Sequence, residues 1–246
     1  MFESEMRKMA KPDQKRMNRT KGLKQAANDR GRHLHYSPGA CPYEPYLSPE
    51  IMEEWNHNKE DIDTLSAAAA VLEKAVAHYR NRGEAERLKL AGALMELAGL
   101  DQQREDQQEA LNHYQESLSV LQQLPLSQAA TPMIKVLKQM GSLHYEMQHF
   151  PETARCFEEA LGLSGQSTTS PSGPAKLEAA AMATLAAAIR MAPATTGHGQ
   201  SGRHAARRLT TLAEQYLNGV DKEEGYLVDK QQGELRAQLG VLKRLL

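Results

Sequence analysis

The pattern that most constrains this chain is a small residue, a large one four positions on, and a second small one three positions after that. It reads Ala68, Leu72, Ala75; then Ala110, Tyr114, Ser117; then Thr153, Phe157, Ala160; and more weakly Ala206, Thr210, Ala213. Intervals of four and three place each trio on one stripe of a helix. The small residues let a neighbouring backbone approach, and the large one fills the gap between them. The stretches between these trios carry small positions of their own: Ala91 or Gly92, Gly141, and Ala180 or Ala183. A pair of such helices cannot bury its faces alone, so the pattern predicts an array of antiparallel helix hairpins. Aromatics are only 5% of the 246 residues, and Val and Ile are sparse beside Ala and Leu, which points to an all-α fold.

Start and stop signals divide the chain. Ser48-Pro49-Glu50 reads as a helix start, with Ser as N-cap, Pro at the first helical position and an acid in the first turn. A short helix through Trp55 follows, then a half unit over 62–81. A hairpin is expected over 84–123, with Gly99 closing its first helix and 101–106 as a long turn. A second spans 132–163, starting at Pro132. A third spans 175–218, between a Ser/Thr/Gly/Pro-rich linker (165–174) and a loop over 193–202. A capping helix over 222–246 completes a repeat domain of 48–246, preceded by an irregular arm of 1–47.

The stretch 135–163 resembles a tetratricopeptide repeat. Met140-Gly141 stands where that family has its Leu-Gly pair, Leu143 and Tyr145 fall in the aromatic region of its first helix, and Phe150 stands at its turn. Thr153, Phe157 and Ala160 stand at its three packing positions, as do Ala110, Tyr114 and Ser117 in the preceding unit. The resemblance implies a protein–protein interaction scaffold or adaptor whose first helices line a groove for a peptide or partner subunit. It places Lys135, Lys138, Ser142, Tyr145 and Glu146 on that face, where two cations, a hydroxyl and an aromatic suit an acidic or extended segment. One branch of the family grips a terminal carboxylate and needs an Asn beside the small residue of the first helix. Ser142 stands there in this chain, which argues against such a clamp.

Charge is unevenly spread. Residues 1–35 hold ten Lys or Arg against four Asp or Glu, a net +6, which leaves −7 for the rest of a chain of net −1. Basic arms seek polyanions or acidic protein faces. Lys15, Arg16, Arg19, Lys21 and Lys24 are therefore candidate contacts. So are Tyr36, Tyr43 and Tyr46, set among three prolines in an extended segment that can pack in a groove of this chain or of a partner. A structural subunit of a larger assembly, for example a cytoskeletal one, is one expectation. A nucleic-acid-associated protein working through the arm is the alternative. No run of about 18 apolar residues offers a membrane span, and two cysteines, Cys41 and Cys156, point to a reducing, cytoplasmic setting. Neither an enzyme nor a cofactor or metal is expected. Gly197 to Gly202 matches G-x-G-x-x-G but follows a helix and reads as a loop, and His33, His35 and Cys41 lack the spacing of a zinc site.

Overall fold

The computed structural model describes residues 43–58, 65–166, 173–192, 199–220 and 226–246. Among them there are nine α-helices, two 3-10 turns and no strand. The helices are α1 (Pro49–Asn58), α2 (Leu65–Arg80), α3 (Arg87–Gln103), α4 (Gln107–Leu121), α5 (Leu126–Glu146), α6 (Phe150–Gln166), α7 (Gly173–Met191), α8 (Gly199–Asn218) and α9 (Tyr226–Leu245). The 3-10 turns are Glu44–Tyr46 and Glu84–Glu86. The chain divides into two compact units whose boundary falls inside α5, between Val136 and Leu137.

In the first unit α2 packs on α1 and on α3, and α3 packs on α4. Ser48 caps α1 as the sequence suggests: its Oγ accepts from the Ile51 N–H at 3.4 Å. The end of the expected arm is not free here. Tyr43 and Leu47 are buried with Ile51 and Trp55 against Ala68, Leu72 and Ala75 of α2 and Leu90 and Leu94 of α3. Tyr43 meets Trp55 edge-on with ring centroids 5.8 Å apart, and the Tyr46 ring lies over Gly92 of α3. Burying an aromatic of this size is worth about 1.5–3 kcal/mol, enough to hold the 3-10 turn Glu44–Tyr46 against α3.

The hairpin α3–α4 shows why the sequence reading of its turn needs correction. Gly99 does not close α3; the helix continues to Gln103, and only three residues separate it from α4. Glu105 adopts the left-handed conformation, at φ 67°. The Asp106 N–H donates to Asp101 O and the Glu105 N–H to Gln102 O, which satisfies the last carbonyls of the helix. The hairpin α5–α6 ends its first helix identically: Gln148 has φ 63°, His149 N–H donates to His144 O and Gln148 N–H to Tyr145 O. The two turns lie 43 residues apart, at 105 and 148. At that offset Ala98 corresponds to Gly141, and Ala110, Tyr114 and Ser117 correspond to Thr153, Phe157 and Ala160. The first hairpin's turn is thus as short as the second's, and Ala98, instead of Ala91 or Gly92, stands at the place of Gly141.

α5 starts at Leu126, six residues before Pro132, which therefore lies inside the helix. Pro132 forgoes one intrahelical hydrogen bond, and the Pro125 carbonyl anchors the helix start by accepting from Gln128 and Ala129 at 2.9 and 3.1 Å.

In the second unit α7 packs on α6, α8 and α9, and α8 packs on α9. α7 suits this central place because its buried face is almost all alanine, with Ala179, Ala180, Ala183, Ala186 and Ala187 meeting Ala206, Leu209, Ala213 and Leu217 of α8. Leu239 and Leu242 join α9 to the same core, and Arg207 of α8 donates to Leu246 O at 2.6 Å. α8 begins at Gly199, so the second half of the glycine motif is helical and not loop.

Gly92 and Gly141 are fixed by space. A Cβ on Gly92 would stand 2.3 Å from the Tyr46 ring and one on Gly141 2.4 Å from the Phe157 ring, whereas Gly99 and Gly162 have open space there. Gly92→Ala and Gly141→Ala are expected to lower stability by about 1–3 kcal/mol through overpacking. Gly99→Ala and Gly162→Ala are expected to raise it by up to about 1 kcal/mol through helix propensity. Urea unfolding of the four variants checks the split.

Candidate interaction face

The face suggested for partner binding lies on α5, whose two halves belong to different units. In the first unit Lys135 is exposed, and its Nζ pairs with Glu96 Oε1 of α3 at 3.5 Å. In the second unit Lys138 pairs with Glu178 of α7. Each lysine thus reaches from one first helix of a hairpin to another. Ser142 and Glu146 are exposed, and Tyr145 is half-buried. Lys138, Ser142 and Tyr145 follow at intervals of four and three and share a stripe. Tyr145 packs edge-on against Phe150, the first residue of α6, with centroids 5.8 Å apart.

The packing residues stand as follows. Phe157 is buried with its ring on Gly141. Thr153 and Ala160 are fully buried, and the Thr153 hydroxyl donates to His149 O at 3.1 Å. Ala110 and Ser117 are also fully buried, and Ser117 Oγ donates to Ala91 O at 2.8 Å, tying α4 to α3. Tyr114 is buried and donates to Gln102 Oε1 at 2.8 Å. Burial pushes its phenol up to about 12, so it stays a neutral donor. In the fourth trio Thr210 replaces the aromatic, and its hydroxyl donates to Ala206 O at 2.7 Å.

The arm candidates Lys15, Arg16, Arg19, Lys21, Lys24 and Tyr36, and with them His33, His35 and Cys41, lie outside the described residues. Of the two placements open to the tyrosines of this segment, Tyr43 and Tyr46 take the one within this chain: Tyr43 is buried in its own unit, and Tyr46, partly buried, lies over Gly92. The physical reason is Gly92, which leaves room for one ring that the sequence alone did not assign. Cys156 is buried, and desolvation pushes its thiol up to about 11, which makes it an unreactive core residue. Among the described residues no group of three or more His, Cys, Asp or Glu could hold a metal ion, and no helix is long and apolar enough to cross a membrane.

Two polar arrangements at the hairpin turns have no signature in local sequence. Asp101 is buried beneath the first turn, with His113 Nδ1 2.7 Å from its Oδ2 and Arg104 Nη1 3.5 Å from its Oδ1. His144 is buried at the corresponding place in the second hairpin, and its Nδ1 meets no hydrogen-bond partner. The 43-residue offset, once known, is the signal that relates them.

A cavity of about 250 Å³ lies between α6 and α8, lined by Leu161, Gly162, Ala205, Leu209 and Leu212, with Glu158 and Arg208 at its edges. Glu158 is held by Arg190 through two hydrogen bonds of 2.6 and 3.0 Å. No protein-family model and no curated protein matches this chain.

Both lysine pairs on α5 are solvent-exposed, where an ion pair contributes about 0–1 kcal/mol. Lys135→Met and Lys138→Met are each expected to change stability by less than about 1 kcal/mol, measured by thermal unfolding. The face can then be altered without loss of the fold.

Proposed function

We propose that the protein is an interaction scaffold of the tetratricopeptide kind: a solenoid of helix hairpins whose first helices hold an acidic or extended segment of a partner. The observation that carries this reading is the hairpin built twice, with the same left-handed turn residue, the same closing hydrogen bonds and the same small–large–small packing. The first-helix ion pairs Lys135–Glu96 and Lys138–Glu178 support it, since they run between helices that an array would set side by side. The repeat length differs from the 34 residues of a standard tetratricopeptide unit. The difference lies in longer helices, α5 having 21 residues and α6 having 17.

On this reading Lys138, Ser142 and Tyr145 offer a cation, a hydroxyl and an aromatic edge to a segment laid along α5. A ligand carboxylate replaces Glu178 on Lys138 at little cost, because the pair it breaks is exposed. The basic arm supplies a second contact, and linking two weak contacts raises avidity through effective concentration. A subunit of a larger cytoplasmic assembly fits this design.

The test is affinity capture from the native source with the full chain, followed by crosslinking mass spectrometry. Wild type is expected to recover a partner crosslinked to Lys135 or Lys138. The double variant Lys138→Glu, Tyr145→Ala is expected to recover about tenfold less, equivalent to about 1.4 kcal/mol. Equal recovery sinks the face. If reversing charge at Lys15, Arg16, Arg19, Lys21 and Lys24 removes only bound nucleic acid, with steep salt dependence, the alternative reading replaces this one.

A further inference from the structure

The two hairpin turns are alike in backbone but opposite in what they bury. Under the first, Asp101 is 5% exposed in its side chain and faces His113 at 2.7 Å and Arg104 at 3.5 Å. Under the second, 43 residues on, stands His144, 7% exposed, with its Nδ1 unpartnered. The residue that corresponds there to His113 is Cys156, a buried neutral thiol. The first turn therefore holds a carboxylate that a histidine meets, and the second holds a histidine whose buried Nδ1 meets no partner.

The place favours a neutral imidazole over an imidazolium. The titratable and charged groups that face His144 are His149 in the turn and Glu152 and Arg155 on α6. The His149 ring stands 5.7 Å away, at an interplanar angle of 43°. Burial opposes a charge on His144 most, and His149 and Arg155 oppose it too; only Glu152 favours it. The His144 carbonyl is also the acceptor that closes the turn, taking the His149 N–H at 2.8 Å. A charge at residue 144 thus acts on the bond that joins α5 to α6.

We propose that the second hairpin is an acid-sensitive hinge: protonation of His144 loosens the α5–α6 turn, while the first hairpin's turn holds. The neighbouring aromatic pair Tyr145 and Phe150 spans the same turn, so the hinge also releases the face of α5 from its seat. This last step rests on the interaction face proposed above; the hinge itself does not.

The direction follows from linkage. Burial keeps His144 below its ordinary value of 6.5 in the closed hairpin, whereas an opened hairpin frees it to that value. As pH falls, the open form takes the proton first. The closed hairpin keeps its full stability above about pH 6.5, loses it progressively as pH falls toward the lowered value, and loses no more below it.

Hydrogen exchange on the full chain at about pH 7.5 and about pH 5.5, corrected for the intrinsic pH dependence of exchange, tests the hinge. Amides over 143–153 are expected to lose protection at the lower pH, and those over 100–110 to keep it. His144→Phe, a neutral ring of similar size, is expected to remove the response. An equal response in both turns, or a response that survives His144→Phe, overturns the proposal. Should that variant fail to fold, NMR titration of the His144 ring in the wild type decides: a value below 6.5 upholds the hinge, and one at or above it overturns the hinge. Partner capture repeated at both pH values separates the two claims. Capture lost at low pH in the wild type but kept in His144→Phe ties the hinge to the face; an exchange response with unchanged capture upholds the hinge and overturns the release of the face.

Discussion

The structure depends on aromatic rings seated on bare backbone. Phe157 occupies the space that any side chain at Gly141 would need, and Tyr46 does the same over Gly92. These contacts bring helix axes close enough for the flanking small residues Thr153 and Ala160 to be sealed completely. Alanine does the same work on a larger scale in α7, where a nearly side-chain-free face lets α8 settle closely against it. A core built this way tolerates few large residues, which is why a chain with 5% aromatics can still bury two sizeable clusters.

Close backbone approach leaves little room for water, so buried polar groups must be satisfied locally. Ser117 gives its proton to the neighbouring helix, at Ala91 O, and so adds a directional tie to a contact otherwise made of dispersion. Thr153, Thr184 and Thr210 instead return theirs to the carbonyl four residues back, a bond a helix can hold without a partner element. Asp101 meets His113 of α4 at 2.7 Å and pairs with Arg104 of the turn at 3.5 Å. The Nδ1 of His144 meets no partner, nor do His78 Nε2 and the Tyr79 hydroxyl on α2, and between the two hairpin turns it marks where the second departs from the first.

Helix content, the order of the helices and all four packing trios were legible in the sequence because small–large–small spacing reports directly on which stripe is buried. The trio positions Ala110, Tyr114, Ser117 and Thr153, Phe157, Ala160 all lie in the core. The turn between α3 and α4 was not legible. Its sequence is polar throughout, and the left-handed residue is Glu105, which carries none of the Gly or Asn signal that usually marks such a position. The start of α5 was missed for the opposite reason: Pro132 is a strong start signal that tertiary packing overrode. For Tyr43 and Tyr46 the sequence allowed a groove of this chain or of a partner, because three prolines give no periodicity that decides between them; the 3-10 turn Glu44–Tyr46 and the space at Gly92 set the Tyr46 ring on α3. For the candidate face, the sequence supplied the residues on α5 but not Glu96 and Glu178, which come from helices far away in the chain.

The pairing of both lysines bears on what kind of partner such a face selects. Among the described residues the large apolar side chains left exposed are Leu88 and Leu126; Leu126 stands at the start of α5, twelve residues before Lys138, so on the proposed reading a ligand on the Lys138–Tyr145 stripe gains little from apolar burial. Its affinity must come from charge and from the edge of Tyr145. A cation already held by a carboxylate does not attract every anion; it exchanges only with one that brings more than Glu178 already provides. A single exposed acid gains nothing by the swap, whereas a segment with several acids, or one tethered by a second contact, does. On the reading proposed above, the internal pair sets only a low threshold, about the 0–1 kcal/mol of an exposed pair, which weights the face toward multiply charged or bivalent partners over isolated carboxylates.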